Sequence, residues 1–180
     1  MSDEQRVLSD VLHTFEEVRS RTMARLQGLA DTEYLWEPVA DCWTVRVGQD
    51  GVFRADPVPD DDPVPAPVTT IAWRTWHIGA DCLRGYCAHF FGDEDPGADA
   101  FRWPGTAAEA ITAMDADFAR FRARVETLGA AGLLDPMGPR AGRYAEDTYL
   151  ALVLHALDEV AHHGAEIGLL RDLYLHGFKV

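Results

Sequence analysis

The residues best suited to chemistry lie near the C-terminus, in the segment DEVAHHGAEIGLLRDLY (residues 158–174). Glu159 and His163 are four residues apart, and so are Asp158 and His162. Side chains at this spacing stand one above the other on a helix, so either pair can reach a single metal ion. Carboxylate oxygen and imidazole nitrogen suit Zn²⁺, Ni²⁺, Fe²⁺ or Mn²⁺.

The two pairs lie on different faces of the predicted helix. At about 100° per residue, the apolar positions between residues 149 and 170 fall into one wide arc. His163 lies inside this arc and Glu159 at its edge, whereas Asp158 and His162 lie on the polar side. The helix face therefore favours Glu159 and His163 as the inward pair. An amphipathic helix whose polar residues simply face solvent is the alternative.

A further candidate ligand, His77, lies in the apolar segment WRTWHIGADC. Such a histidine is either a core residue with hydrogen-bonded neighbours or a ligand contributed from a facing helix. Metal sites in helical bundles are built in this second way, from side chains on facing helices. Asp81 lies one turn beyond His77, where it can reach the same cleft or pair with Arg84 at the surface.

Four long helices must position these residues. Apolar spacing and punctuation by glycine and proline predict them at residues 3–28, 68–91, 106–129 and 146–174. Two capping boxes are predicted, Ser2 with Gln5 and Thr106 with Glu109. Helices of this length bury their apolar stripes against one another, which predicts an all-α fold, a four-helix bundle.

The connection between the first two helices has a different character. WTVRVGQDGVFRAD predicts a short hairpin that turns near Asp50 and Gly51. DPVPDDDPVPAPV has too many prolines for a helix or a central strand and predicts an extended surface loop. The expected architecture is one domain over residues 1–180, with this hairpin and proline-rich excursion between helices one and two.

Composition limits the classes of partner. The chain has 180 residues, a net charge of -14 and a pI near 4.7, which argues against nucleic acid and anionic membrane surfaces as partners. It has no signal-peptide pattern and no apolar run long enough to span a bilayer. Cys42, Cys82 and Cys87 form no CxxC pair. We interpret Cys82 and Cys87 as buried inert thiols and expect a cytoplasmic protein.

The chain resembles the DinB-like family, the damage-inducible-protein superfamily of four-helix bundles, over nearly its whole length. The resemblance lies in GLADTEYLWEPVADCWTVR after the first helix, WRTWHIGADCL in the second and LDEVAHHGAEIGLLRDLY in the fourth, in this order and spacing. It implies a bundle in which a divalent metal is held by a histidine from the second helix and an HxxxH pair from the fourth. It also implies a homodimer.

The resemblance assigns these ligands to residues of this chain. His77 matches the ligand of the second helix and His163 the last ligand of the fourth, while Glu159 stands where the family pattern has histidine. A register shifted by one residue would use Asp158 and His162 instead. Two histidines and one carboxylate still form a metal site, with open positions for water or substrate.

The function that the resemblance implies is that of a metal-dependent enzyme. Some relatives are transferases or isomerases that use a low-molecular-weight thiol such as mycothiol or bacillithiol. We expect His77, Glu159 and His163 to hold a metal that activates a thiol or water for transfer to, or hydrolysis or isomerisation of, a small electrophilic substrate. Candidates for orienting the ligands or transferring protons are His162, Glu166 and Asp81.

The rival interpretation is a non-catalytic protein. A dimeric bundle that binds a ligand, or whose metal site has degenerated, is consistent with Glu159 in place of histidine. Direct action on DNA is disfavoured by the acidic charge.

Overall fold

The computed structural model describes residues 2–59 and 63–178. Helices make up 64% of the structure, and the described residues contain one short two-stranded sheet, so the predicted all-α class is confirmed. The second helical segment covers residues 71–91 and includes a π-helix over residues 77–84. The elements are, in chain order, α1 (Asp3–Arg25), α2 (Asp31–Tyr34), β1 (Val45–Val47), β2 (Phe53–Ala55), α3 (Ile71–Trp76), the π-helix (His77–Arg84), α4 (Gly85–Phe91), a 3₁₀ turn (Gly97–Phe101), α5 (Ala107–Gly132), a second 3₁₀ turn (Pro139–Tyr144) and α6 (Tyr149–Leu175).

The helix ends lie within about three residues of their predicted positions, and local caps fix several of them. The capping box at the start of α1 is present: Gln5 N–H donates to the Ser2 hydroxyl and Ser2 N–H to the Gln5 side chain. The second helical segment begins after Thr70, whose hydroxyl accepts from Trp73 N–H at 3.2 Å. It ends at Gly92, which takes a φ of 81°.

The second predicted capping box, at the start of α5, is wrong in its bonding. The Thr106 hydroxyl donates to the Glu109 carboxylate at 2.7 Å instead of accepting from the backbone. The free Ala107 N–H donates to Asp31 of α2 at 2.8 Å. A carboxylate distant in sequence therefore caps this helix, which a local motif cannot indicate.

The hairpin predicted around Asp50 and Gly51 is present. β1 and β2 pair antiparallel, with Val45 opposite Ala55 and Val47 opposite Phe53. Residues 56–59 and 63–68 form neither helix nor strand, as expected for the proline-rich loop, and residues 60–62 of that loop lie outside the described residues.

The long helical segments contact one another around an aromatic core. α1 contacts α5 and α6, and both α3 and the π-helix also contact α5 and α6. The ring of Phe15 in α1 packs on Phe118 and Phe121 of α5, with centroids 5.7 and 5.5 Å apart. These contacts join all four long helices, and their arrangement as a four-helix bundle stays a prediction.

Two glycines allow neighbouring elements to approach closely. A Cβ on Gly164 of α6 would lie 2.5 Å from the Thr22 hydroxyl of α1, which is itself bonded to the Val18 carbonyl. A Cβ on Gly79 of the π-helix would lie 2.7 Å from the Trp103 ring. α6 and the π-helix therefore reach their positions because these side chains are absent.

Arg171 of α6 fixes the far end of the α1–α6 contact. Its guanidinium forms a two-point ion pair with buried Glu33, at 2.7 and 3.3 Å. It also donates to the carbonyl oxygens of Arg25, the last residue of α1, and of Gln27, two residues further on; carbonyl groups at a helix C-terminus have no partner within the helix.

We expect Gly164→Ala to lower the free energy of unfolding by about 1–3 kcal/mol, because the new methyl group overpacks the contact with Thr22. Urea denaturation measures the change. Gly85→Ala is the matched control, since its Cβ would meet only the Ala80 carbonyl oxygen at an ordinary 3.6 Å. Thr22→Ala should restore part of the loss in the double variant. Undiminished stability of Gly164→Ala would contradict this account of the helix contact.

Candidate metal centre

Three side chains from the second helical segment and α6 meet at one carboxylate oxygen. His77 Nε2 lies 3.4 Å from Glu159 Oε2, and His163 Nε2 lies 3.1 Å from the same oxygen. The potential ligand atoms of the three residues all lie within 4.8 Å of one another. Their side chains are 17%, 22% and 13% exposed for His77, Glu159 and His163, so the cluster is largely withdrawn from solvent.

The alternative register does not meet His77. Asp158 is exposed, and the His162 side chain is 62% exposed. His162 Nε2 lies 3.5 Å from Glu166 Oε1, in a second group of potential ligand atoms that includes His163. The structure thus brings the inward pair, and not the outward pair, to the second helical segment.

A carboxylate holds the outer nitrogen of each clustered histidine. His77 Nδ1 lies 2.8 Å from Asp81 Oδ2, and His163 Nδ1 lies 2.7 Å from Glu166 Oε2. An imidazole that donates from Nδ1 presents the lone pair of Nε2, and carboxylate–histidine pairs of this kind orient the ligands of metal sites. The donor atoms and their orientation therefore fit a divalent cation.

Two neighbours in the second helical segment steady this arrangement. Arg74 Nε lies 2.6 Å from Glu166 Oε2, the oxygen that also faces His163. The Trp73 ring stacks on His77 with centroids 5.1 Å apart and planes 15° from parallel. Sequence reasoning missed Arg74, although an arginine inside the apolar run WRTW is a signal of a buried charge partner.

Sequence reasoning also missed the contacts of Cys82 with the cluster. The thiol is buried, as expected, yet its Sγ lies 3.7 Å from His77 Nε2 and 3.8 Å from Glu159 Oε2. Burial raises the pKa of this thiol, and the nearby imidazole of His77 counteracts the rise. Cys82 is therefore part of the cluster.

The π-helix explains why both Asp81 and Cys82 reach His77. In an α-helix, residues five apart point about 140° away from each other. The wider turn of residues 77–84 is closed by bonds between residues five apart, such as Gly85 N–H to the Ala80 carbonyl. This turn brings the fourth and the fifth residue after His77 to the same ring.

The histidines and carboxylates of the cluster stabilise each other's charged forms. Burial alone lowers the pKa of His77, but its hydrogen bonds, led by the one with Asp81, outweigh burial and raise the pKa to about 11. Hydrogen bonds from His163 and His77 lower the pKa of Glu159. Glu159 is therefore a carboxylate at neutral pH, as a metal ligand must be.

We expect Zn²⁺ binding at about pH 8 to release at least one proton per ion, because His77 must lose its proton before Nε2 can bind a metal. Calorimetric titration in buffers of different ionisation enthalpy counts the protons. Asp81→Asn should release fewer, because loss of the carboxylate beside Nδ1 lowers the pKa of the His77 imidazolium. Asp158→Asn, an exposed acid outside the cluster, should match the wild type. Equal release by wild type and Asp81→Asn would contradict this role of Asp81.

A cavity of about 270 Å³ lies beside His155 of α6. Its lining is mainly aromatic and aliphatic and consists of Tyr86, Phe90, Met137, Tyr144, Asp147, Ala151, Leu152 and His155. The His155 side chain is 56% exposed, and its Nε2 lies 3.7 Å from Glu159 Oε1. The cavity thus begins one helical turn from the clustered donors. A separate groove between α1 and α6 contains none of these donors.

A helical protein in which two imidazoles and a carboxylate converge from two segments has the features of a metal-binding helical protein. The family model of the DinB superfamily matches residues 14–167, and the chain belongs to this superfamily, as its sequence motifs predicted. Metal binding is common in this superfamily. Comparison with curated proteins and with solved structures gives no match. Within the described residues, no helix has the length and apolar character needed to cross a membrane.

Proposed function

We propose that this chain binds a divalent metal ion through His77 Nε2, His163 Nε2 and a carboxylate oxygen of Glu159, inside a four-helix bundle. The observation that carries the proposal is the approach of both Nε2 atoms to one Glu159 oxygen, at 3.4 and 3.1 Å. The donor types suit Zn²⁺, Ni²⁺, Fe²⁺ or Mn²⁺.

We further propose that the site is that of an enzyme acting on a small electrophile with a low-molecular-weight thiol, such as mycothiol or bacillithiol, or with water. A divalent ion supplies Lewis-acid chemistry there, because it lowers the pKa of a thiol or water. Asp81 and Glu166 hold the Nδ1 atoms of the ligand histidines and so orient them. His155, the imidazole of the adjoining cavity, is our candidate for proton transfer.

The cavity indicates the kind of substrate. Its volume of about 270 Å³ lies just below the range of about 300–1,000 Å³ that is usual for drug-sized ligands, which favours a small molecule. Aromatic and aliphatic walls favour an apolar body, with polar contacts restricted to residues such as Asp147 and His155. The net charge of -14 is consistent with a small-molecule substrate rather than a nucleic acid.

One observation favours the rival, a structural or ligand-binding bundle without catalysis. Cys82 lies beside His77 and Glu159, two of the three proposed ligands, and a site closed by four protein ligands is typical of structural zinc. The two functions share the metal site and differ in turnover.

We expect wild-type protein, purified without a histidine tag, to bind metal stoichiometrically and His163→Ala to bind close to none. His13→Ala is the matched control, because His13 of α1 is a 74% exposed histidine that lies beside Glu17 and outside the groups of potential ligand atoms. Metal content is measured by plasma mass spectrometry after dialysis, with circular dichroism to verify folding. Folded wild-type protein that neither contains nor acquires Zn²⁺, Ni²⁺, Fe²⁺ or Mn²⁺ would contradict the proposed function.

A second experiment separates catalysis from structural binding. We expect metal-loaded wild type to accelerate the loss of free mycothiol or bacillithiol with an aryl electrophile such as chlorodinitrobenzene. Ala151→Trp should reduce this rate severalfold with unchanged metal content, because the indole fills the cavity. Leu154→Trp, at an exposed position of α6 outside the cavity, should not. Metal-loaded protein that leaves the thiol unconsumed would favour the structural role.

A further inference from the structure

Four donor separations around Glu159 and Cys82 are close to those of a metal centre with four protein ligands. Zinc binds nitrogen and oxygen at about 2.0–2.1 Å and thiolate sulfur at about 2.3 Å. A tetrahedron with these bond lengths separates its nitrogen and oxygen donors by about 3.3 Å, and its sulfur from either by about 3.5 Å. In the structure, Glu159 Oε2 lies 3.4 Å from His77 Nε2 and 3.1 Å from His163 Nε2, and Cys82 Sγ lies 3.7 Å from His77 Nε2 and 3.8 Å from Glu159 Oε2.

We infer that Cys82 Sγ is the fourth ligand of this centre, so that two imidazoles, one carboxylate and one thiolate hold the metal. The inference rests on the metal site of the proposed function but not on its catalytic part. On binding, the thiol gives its proton to solvent and the sulfur lone pair to the metal, with no change in oxidation state.

The charge balance of the centre supports a thiolate ligand. Two neutral imidazoles and Glu159 leave one positive charge of a divalent ion uncompensated. The thiolate of Cys82 cancels it, which matters because Cys82 is only 4% exposed and a buried net charge is costly. Asp81 is less suited to this role, since its carboxylate lies against Nδ1 on the far side of His77 and is 46% exposed.

The backbone supplies an independent reason. A π-helical turn is rare, and such turns occur frequently at functional sites. Orienting His77 requires only Asp81, four residues on, which an ordinary α-helix would also place near it. The unusual turn of residues 77–84 has the additional effect of bringing Cys82 to the cluster.

Two properties of the centre follow from a thiolate ligand. A soft sulfur donor favours Zn²⁺ and Co²⁺ over Mn²⁺, which narrows the metals that the nitrogen and oxygen donors alone would accept. Four protein ligands also complete a tetrahedron, so a thiol or water substrate must enter as a fifth ligand or displace one of the four.

Cobalt absorption tests this inference without any activity assay. A thiolate bound to Co²⁺ produces a charge-transfer band in the near ultraviolet, which imidazole and carboxylate do not. We expect metal-stripped wild type titrated with Co²⁺ alone to develop this band, and Cys82→Ser to lose it. Cys82→Ser should still bind Co²⁺, with an affinity lower by at least the ~10–100-fold that follows from loss of a supporting partner. Cys87→Ser, also buried and on the same helical segment, should keep the band.

The outcomes test the thiolate ligand separately from the metal site itself. Stoichiometric Co²⁺ binding by wild type without the band, or a band that survives in Cys82→Ser, would overturn the inference and leave the three-residue site standing. Folded wild type that binds no Co²⁺ would overturn both. If Cys82→Ser does not fold, the double variant Cys42→Ser/Cys87→Ser tests the inference instead, because Cys82 is then the remaining cysteine. A band that persists supports Cys82 as a ligand, and a lost band contradicts it.

Discussion

Two imidazoles lie within 3.4 Å of Glu159 Oε2, one from its own helix and one from the second helical segment. A carboxylate and two imidazoles lose hydration when they are withdrawn from solvent, and this loss is offset only if they pair closely. The pairing requires α6 and the second segment to lie at a defined separation. The ion pair between Arg74 and Glu166 joins the same two segments, so the charges that orient the site also hold its walls together.

The π-helical turn makes His77 the most connected residue of the site. Trp73 stacks on one face of its ring, Asp81 holds Nδ1, and Nε2 faces both Glu159 and Cys82. A ring with this many fixed neighbours needs little reorganisation to bind the proposed ion.

Membership of the DinB superfamily and the site carry different information. The family match accounts for the helical fold and makes metal binding an expected property. Fold does not determine reaction, however, so the chemistry must come from the side chains around the cluster. Here those side chains are a buried thiol on one side and a small, mainly apolar cavity on the other. In the proposed function, the thiol bears on which metal binds and the cavity on which molecules reach that metal.

The positions of the helices and the inward face of α6 can be predicted from the amino-acid sequence, because α-helical periodicity is nearly independent of context. The same periodicity separates Glu159 and His163 from Asp158 and His162. The contact of Arg74 with Glu166, the capping of α5 by Asp31 and the approach of Cys82 to the cluster are visible in the folded chain alone. The first two contacts join distant parts of the chain and depend on packing. The third depends on a π-helical turn, and α-helical spacing does not predict which side chains such a turn brings together.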